Sequence, residues 1–195
     1  MVESATKATL ITEIVDRKSV VAFDGRPIED SKLQAMVEAA RWAPSASNRQ
    51  PWRITLVRDG ESRDPLNEAL APGNQAWAPS APLLVVFATD VPDPERPGSG
   101  AKMMLDTGFA GQNLMLEAVH QGLRVHAMAG WDEGKVKAAL DISEGIVVAF
   151  LLAVGYGGDV SELSEELLAK ENRDRVRNDV GENFFDGKFG APWKA

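Results

Sequence analysis

The chain has 195 residues, of which 26% are charged, with a net charge of −8 and no cysteine. That length suits one domain with a sizeable core. The acidic balance disfavours nucleic acid or an anionic membrane as a general partner, so any anionic ligand must be held by a local basic cluster. The missing thiols exclude disulfides, iron–sulfur clusters, thiolate zinc sites and a cysteine nucleophile, and fit a reducing compartment.

In chain order, residues 4–15 place Ala8, Ile11, Ile14 and Val15 on one helical face. No long apolar run follows the charges of residues 1–10, which argues against a signal peptide and for a cytoplasmic protein. A second helix is expected over 31–41, with Asp30 or Ser31 as cap and Leu33, Met36, Val37 and Ala40 as its stripe. Alternation over 52–57 predicts a strand. Residues 62–70 read as a short helix with Pro65 near its first turn, and the apolar run 83–88 as a buried strand. Prolines and glycines make 91–100 a loop.

Residues 103–121 form the longest predicted helix, with Gly122 at C′. Met104, Leu105, Phe109, Leu114, Met115, Leu116 and Val119 make it apolar around much of its circumference, as in a fold centre or a subunit interface. A strand at 123–128, a helix from Asp132 as cap through Leu140, and a buried strand at 146–154 closed by Gly155-Tyr156-Gly157-Gly158 follow. The run 146–154 is too short to span a membrane. Residues 161–170 read as an acidic helix; Arg173, Arg175 and Arg177 then alternate, and the aromatic, glycine-bearing stretch 183–193 needs another surface to pack on.

Self-sufficient catalytic groups are absent. His120 and His126 sit in no ligand-like cluster, so no metal site is expected and both histidines read as structural or solvent-facing. No G-x-S-x-G, G-x-x-x-x-G-K-[ST] or G-x-G-x-x-G pattern occurs. An enzyme with this inventory takes its chemistry from a cofactor.

The stretch 44–52, Pro-Ser-Ala-Ser-Asn-Arg-Gln-Pro-Trp, is the most specific signal. Small residues let backbone approach a flat ligand, Asn48 and Gln50 offer amide donors and acceptors, and Pro44 and Pro51 stiffen both ends. With 17–23 (Arg-Lys-Ser-Val-Val-Ala-Phe), 122–135 and the arginine-bearing tail ending at Gly190, it resembles the FMN-dependent nitroreductase family in the family's own order.

The resemblance implies an α+β nitroreductase fold over one domain, 1–195, with a central, mostly antiparallel sheet flanked by helices. It also implies a domain-wrapped homodimer with two FMN molecules at the interface, each touched by both subunits. By the same resemblance Arg17 and Ser19 bind the FMN phosphate and ribityl chain, and Arg175 and Arg177, with Arg173 as an alternative to either, complete the phosphate site. Pro44, Ser45, Ser47, Asn48 and Gln50 line the isoalloxazine ring, and Ala129 and Gly130 present backbone groups to its reactive edge. Asn74 is a further candidate contact, and Trp131, Trp77 and Phe109 are candidate pocket walls.

The implied activity is ping-pong hydride transfer through flavin N5, from NADH or NADPH to a small planar nitroaromatic or quinone, with no protein group as obligatory acid or base. Alternatives are a same-fold enzyme of flavin fragmentation, dehalogenation or dehydrogenation, and a non-catalytic flavin-binding module. Two departures from the family stand out. Val21 occupies a position where many members carry Arg or Lys, leaving Arg49 or Arg53 to compensate, and the chain lacks the large insertions that enclose substrate in some subfamilies.

Overall fold

The structure, a computed structural model, describes residues 9–93, 95 and 98–193. Its helices and strands alternate as α1 (Thr12–Asp16), β1 (Phe23–Asp24), α2 (Asp30–Arg41), β2 (Trp52–Val57), α3 (Arg63–Ala69), α4 (Pro72–Gln75), β3 (Leu83–Asp90), α5 (Ser99–His120), β4 (Arg124–Met128), α6 (Glu133–Ala139), β5 (Ile146–Gly157), α7 (Glu165–Glu171) and α8 (Val180–Asn183). The sheet pairs β2 with β3 and β3 with β5, every ladder antiparallel. Residues 151–154 of β5 pair with β3 on one side and with β4 on the other, and the end of β5 also takes β1. The α+β class with a central antiparallel sheet is therefore as expected.

Period-two alternation in β3 splits the core between the two faces of the sheet. Leu83, Val85 and Phe87 face α2 and α5 with Leu33, Met36, Ala110 and Leu114. Leu84 and Val86 face the other way, toward Leu66, Trp77, Met128 and Val136. Both sets are buried, which is why β3 reads as a continuous apolar run rather than as an alternating one.

Local punctuation is met at several joints. Asp132 accepts the Lys135 N–H at 3.0 Å and caps α6. Gly122, at φ +78°, ends α5 with the paired bonds Leu123 N–H to Ala118 O and Gly122 N–H to Val119 O, each 2.9 Å. Elsewhere tertiary packing overrides the local reading. Helix α2 begins after Glu29, with no side-chain cap from Asp30 or Ser31, and Val37 is 44% exposed because only Leu33, Met36 and Ala40 of its stripe reach the core. Helix α5 starts a turn earlier than predicted, and β5 runs on through Gly155-Tyr156-Gly157 to meet β1. Among the described residues, no helix is long and apolar enough to cross a membrane.

The first predicted helix shrinks to α1, and Ala8 lies outside the described residues. Helix α1 buries none of its residues and is held by side chains: Glu13 Oε1 meets His120 Nδ1 at 2.8 Å, and Arg175 donates to the carbonyls of Val15 and Ile14 at 2.6 and 2.9 Å. The contact with Glu13 raises the His120 pKa, and that with His120 lowers the Glu13 pKa. The raised His120 value stabilises the docked helix below the ordinary imidazole pKa, an effect lost as pH rises through the raised one. The lowered Glu13 value stabilises it above the ordinary carboxylate pKa, an effect lost as pH falls through the lowered one. Docking of α1 is thus expected to be strongest between about pH 4.3 and 6.5. Amide protection factors of α1 across pH check this, and a His120→Gln variant is expected to lose the alkaline limb.

Candidate cofactor site

One large cavity, about 990 Å³, lies where the N-terminal and C-terminal segments run together. Arg17, Lys18 and Ser19 enter from the segment after α1; Lys170, Arg173, Arg175 and Arg177 enter from α7 and the strip after it. These segments are more than 150 positions apart in sequence, yet they bring six cations to one wall, with Asp174 as the acidic residue among the lining side chains. Burial, then Arg175 and Arg177, hold the Arg17 guanidinium below its ordinary range. A wall of crowded cations suits an anion chemically, because a dianion offsets their repulsion and accepts charge-assisted hydrogen bonds. The expected gathering of Arg17, Ser19, Arg175 and Arg177, with Arg173, is therefore present in the geometry. Arg175 divides its role, since its guanidinium also closes the C-terminal end of α1.

Asn74 and Gly73 of α4 form another part of the lining. Asn74 Nδ2 donates to the Gly130 carbonyl at 3.1 Å, and the Ala71 N–H donates to the same oxygen at 3.0 Å. A side chain at residue 130 would meet the Ala71 Cβ at 2.9 Å. The smallness of Gly130 thus serves first to let α4 close down, which places Asn74 on the cavity. Neither Ala129 nor Gly130 itself lines the cavity in one chain.

Trp77 completes the floor, stacked on His126 with ring centroids 4.2 Å apart. His126, expected to be structural or solvent-facing, makes structural contacts and also lines the cavity. Its Nδ1 contacts the Val20 carbonyl at 2.7 Å, which assigns the proton to Nδ1 and leaves Nε2 as an acceptor. Burial, above all, pushes its pKa down. Of the other aromatic candidates, neither Trp131, which forms a β-bridge with Leu70, nor Phe109, 40% exposed on α5, lines the large cavity within one chain. Sequence reasoning also missed Lys18 and Lys170; their adjacency to Arg17 and to the alternating arginines is the signal that marks them.

The 44–52 loop lies elsewhere. None of Pro44, Ser45, Ser47, Asn48 and Gln50 lines the large cavity; Ala46, Ser47, Arg49 and Pro51 line a second one of about 200 Å³ with Ser99, Lys102, Met103 and Asp106. The loop is largely exposed and strongly shaped. Ser47, Asn48 and Gln50 all have left-handed φ values, 54°, 53° and 48°, at about 1–3 kcal/mol each for residues other than glycine. Buried Asp106 accepts the Ala46 N–H at 3.0 Å, Ser45 Oγ accepts the Gln50 N–H at 3.0 Å, and Gln50 Nε2 donates to Asn48 Oδ1 at 3.0 Å. Val21 is 2% exposed and carries no charge into the large cavity. Arg49 sits at the second cavity and Arg53 pairs with Asp90 at 3.3 Å, so within one chain neither takes the place of a cation at Val21. Among the described residues no cluster of three metal-ligating side chains occurs.

An antiparallel α+β sheet with a cation-walled cavity defines the class of protein. Family comparison places it further: the nitroreductase family model matches residues 14–76 and 69–156. The chain is 30% identical to a Thermus thermophilus NADH dehydrogenase, covering 80% of this chain and 90% of that one. It is 39% identical over 75 residues to a Streptomyces coelicolor protein named as an NADH dehydrogenase/NAD(P)H nitroreductase, a match covering 37% of that protein. A crystal structure described as an oxidoreductase containing FMN superposes with a TM-score of 0.83 at 31% identity, covering 96% of each chain. A nitroreductase family protein from Clostridium novyi NT shares the fold, with a TM-score of 0.68 at 23% identity over 93% of this chain and 94% of that one. The chain belongs to the nitroreductase family.

Proposed function

We propose that this protein is an FMN-dependent NAD(P)H oxidoreductase that works as a homodimer, each cofactor held between two chains. The observation that supports this most is the division of the site. The cation wall for a phosphate and the strained, amide-bearing loop for a flat ring are both built, but on different cavities of one chain. A second copy brings them together if the loop of one chain reaches the cavity of the other.

The surface supports the pairing. Leu10, Ile11, Ile14 and Val15 are exposed in and beside α1, and a five-residue helix that buries nothing is not stable alone. Leu105 and Phe109 lie on one exposed face of α5, and Phe184 and Phe189 stand out from the tail. A second copy packed on these side chains would take them out of water.

The residues fit the cofactor. Arg17, Ser19, Arg173, Arg175 and Arg177 hold the phosphate and ribityl end. Asn74, with the Ala129–Gly130 turn behind it, bounds the ring, and the partner's loop supplies the rest through Asn48 and Gln50. Bound FMN supplies a hydride acceptor and donor at N5; the protein orients it, excludes water and sets the field around it. The acceptor class is a small, flat, electron-poor compound such as a nitroaromatic or quinone, and the setting is the cytoplasm. The single 195-residue domain has no large enclosing insertion, so the acceptor approaches from an open side.

The decisive experiment is the visible spectrum of the purified protein with FMN, before and after NADH and then NADPH, with light scattering on the same sample. Flavin absorbance that bleaches rapidly with one nucleotide, in a dimer, is the expected result. A colourless protein that ignores FMN would overturn the proposal, and bound flavin that neither nucleotide bleaches would leave a binding module.

A further inference from the structure

We propose that Glu171 is the positioning residue of the cation cavity, holding the Arg17 segment and the arginine strip in register. The inference rests on the flavin reading above and adds a residue to it. Glu171 is the last residue of α7 and only 7% exposed. Its Oε2 accepts the N–H groups of both Val21 and Ala22, at 2.6 and 3.2 Å. Its Oε1 pairs with Lys18 at 3.3 Å, and its carbonyl accepts Lys18 Nζ at 3.2 Å.

A buried carboxylate beside an anion site opposes the anion by charge alone, so its presence is explained by what it holds. No strand ladder joins residues 17–22 to residues 170–177 among the described residues. Glu171 does that work at one end, serving two amides that find no other acceptor among the described residues. Arg175 does it at the other end, through Ile14 and Val15. Between these two ties stand Arg17 and Arg173. An anion site assembled from two unladdered segments binds tightly only if their spacing is set beforehand.

Two variants separate reach from charge. Glu171→Gln keeps one oxygen in place for both amides and removes the charge. Glu171→Asp keeps the charge and withdraws it by one methylene. FMN titration of the apoprotein is expected to give Glu171→Gln within about threefold of the parent and Glu171→Asp about tenfold weaker, the scale of one lost buried hydrogen bond. Hydrogen exchange at Val21 and Ala22 is expected to accelerate in Glu171→Asp alone. If charge were the whole effect, Glu171→Gln would tighten binding and Glu171→Asp would leave it unchanged; either result would overturn the proposal. A parent that does not bind FMN would remove the flavin reading, and the exchange rates would still decide whether Glu171 holds the segment: unchanged exchange in Glu171→Asp would overturn it.

Discussion

Replacing Arg17 by alanine is expected to weaken FMN binding about a hundredfold, on the scale of one or two charge-assisted hydrogen bonds at roughly 1.5–3 kcal/mol each. Arg17 follows α1 directly, is half-buried, and lines the cavity with Arg175 and Arg177. Burial, then the two neighbouring guanidinium groups, push its own pKa down, so part of the cost of placing Arg17 there is repulsion that an anion would offset. Removing one of three crowded cations therefore has opposite consequences for the two states. The apoprotein is expected to be as stable to urea as the parent or slightly more so, while the complex is lost. Flavin fluorescence titration beside urea denaturation reads both signs, and an alanine variant that binds FMN within threefold of the parent would remove Arg17 from the phosphate site. Arg17→Lys is expected to fall between, since lysine keeps the charge without the bidentate fork.

Replacing Arg63 by methionine is expected to cost on the order of 4 kcal/mol of folding stability, a large share of the roughly 5–15 kcal/mol available to a domain. Arg63 begins α3 and is 7% exposed. Its guanidinium donates to four backbone carbonyls: Val57 at 3.3 Å, Ala78 at 3.3 Å, Pro79 at 3.4 Å and Ala81 at 2.6 Å. The first ends β2 and the others form the turn that launches β3, so one side chain ties two neighbouring strands at their shared end. Burial pushes its pKa below the ordinary arginine range, yet the group stays charged and its carbonyl partners repay the desolvation. Methionine fills the volume and leaves those oxygens without their donor. Arg63 lines no part of the large cavity, so the folded fraction is expected to keep its FMN affinity. A loss below about 1 kcal/mol in urea titration would mean that water or neighbours satisfy the carbonyls.

The contrast between these two arginines shows what was legible in the sequence. Strand 52–57, the Gly122 stop and the Asp132 cap are local events, written within a few residues, and each appears in the structure. Arg63 looked like any polar residue opening a helix, because the four carbonyls it serves are created only by the tertiary fold. Arg17 and the tail arginines were found through the family's order rather than through spacing, since nothing local distinguishes an Arg-Lys-Ser turn from ordinary surface. The composition of the 44–52 loop suggests a ligand grip, but its three left-handed residues were not legible, because serine and glutamine carry no preference for that conformation. Val37 failed for the reverse reason. It matches the helical period, but at its place on α2 no neighbouring layer covers it. Glu171 had a faint signal, a carboxylate at the end of an acidic helix facing a run of arginines, but its targets are two amides 150 and 149 positions away.

The tie between residues 17–22 and 170–177 also has a meaning in time. As the chain is made, β2, β3, β4 and β5 exist by residue 157, and the sheet can close with most of its core. The cavity cannot, because four of its six cations, and Glu171 with them, are not yet synthesised. On the proposed reading cofactor capture therefore comes late, and a chain released before Arg173 would carry a finished sheet with only Arg17, Lys18 and Lys170 of the six cations.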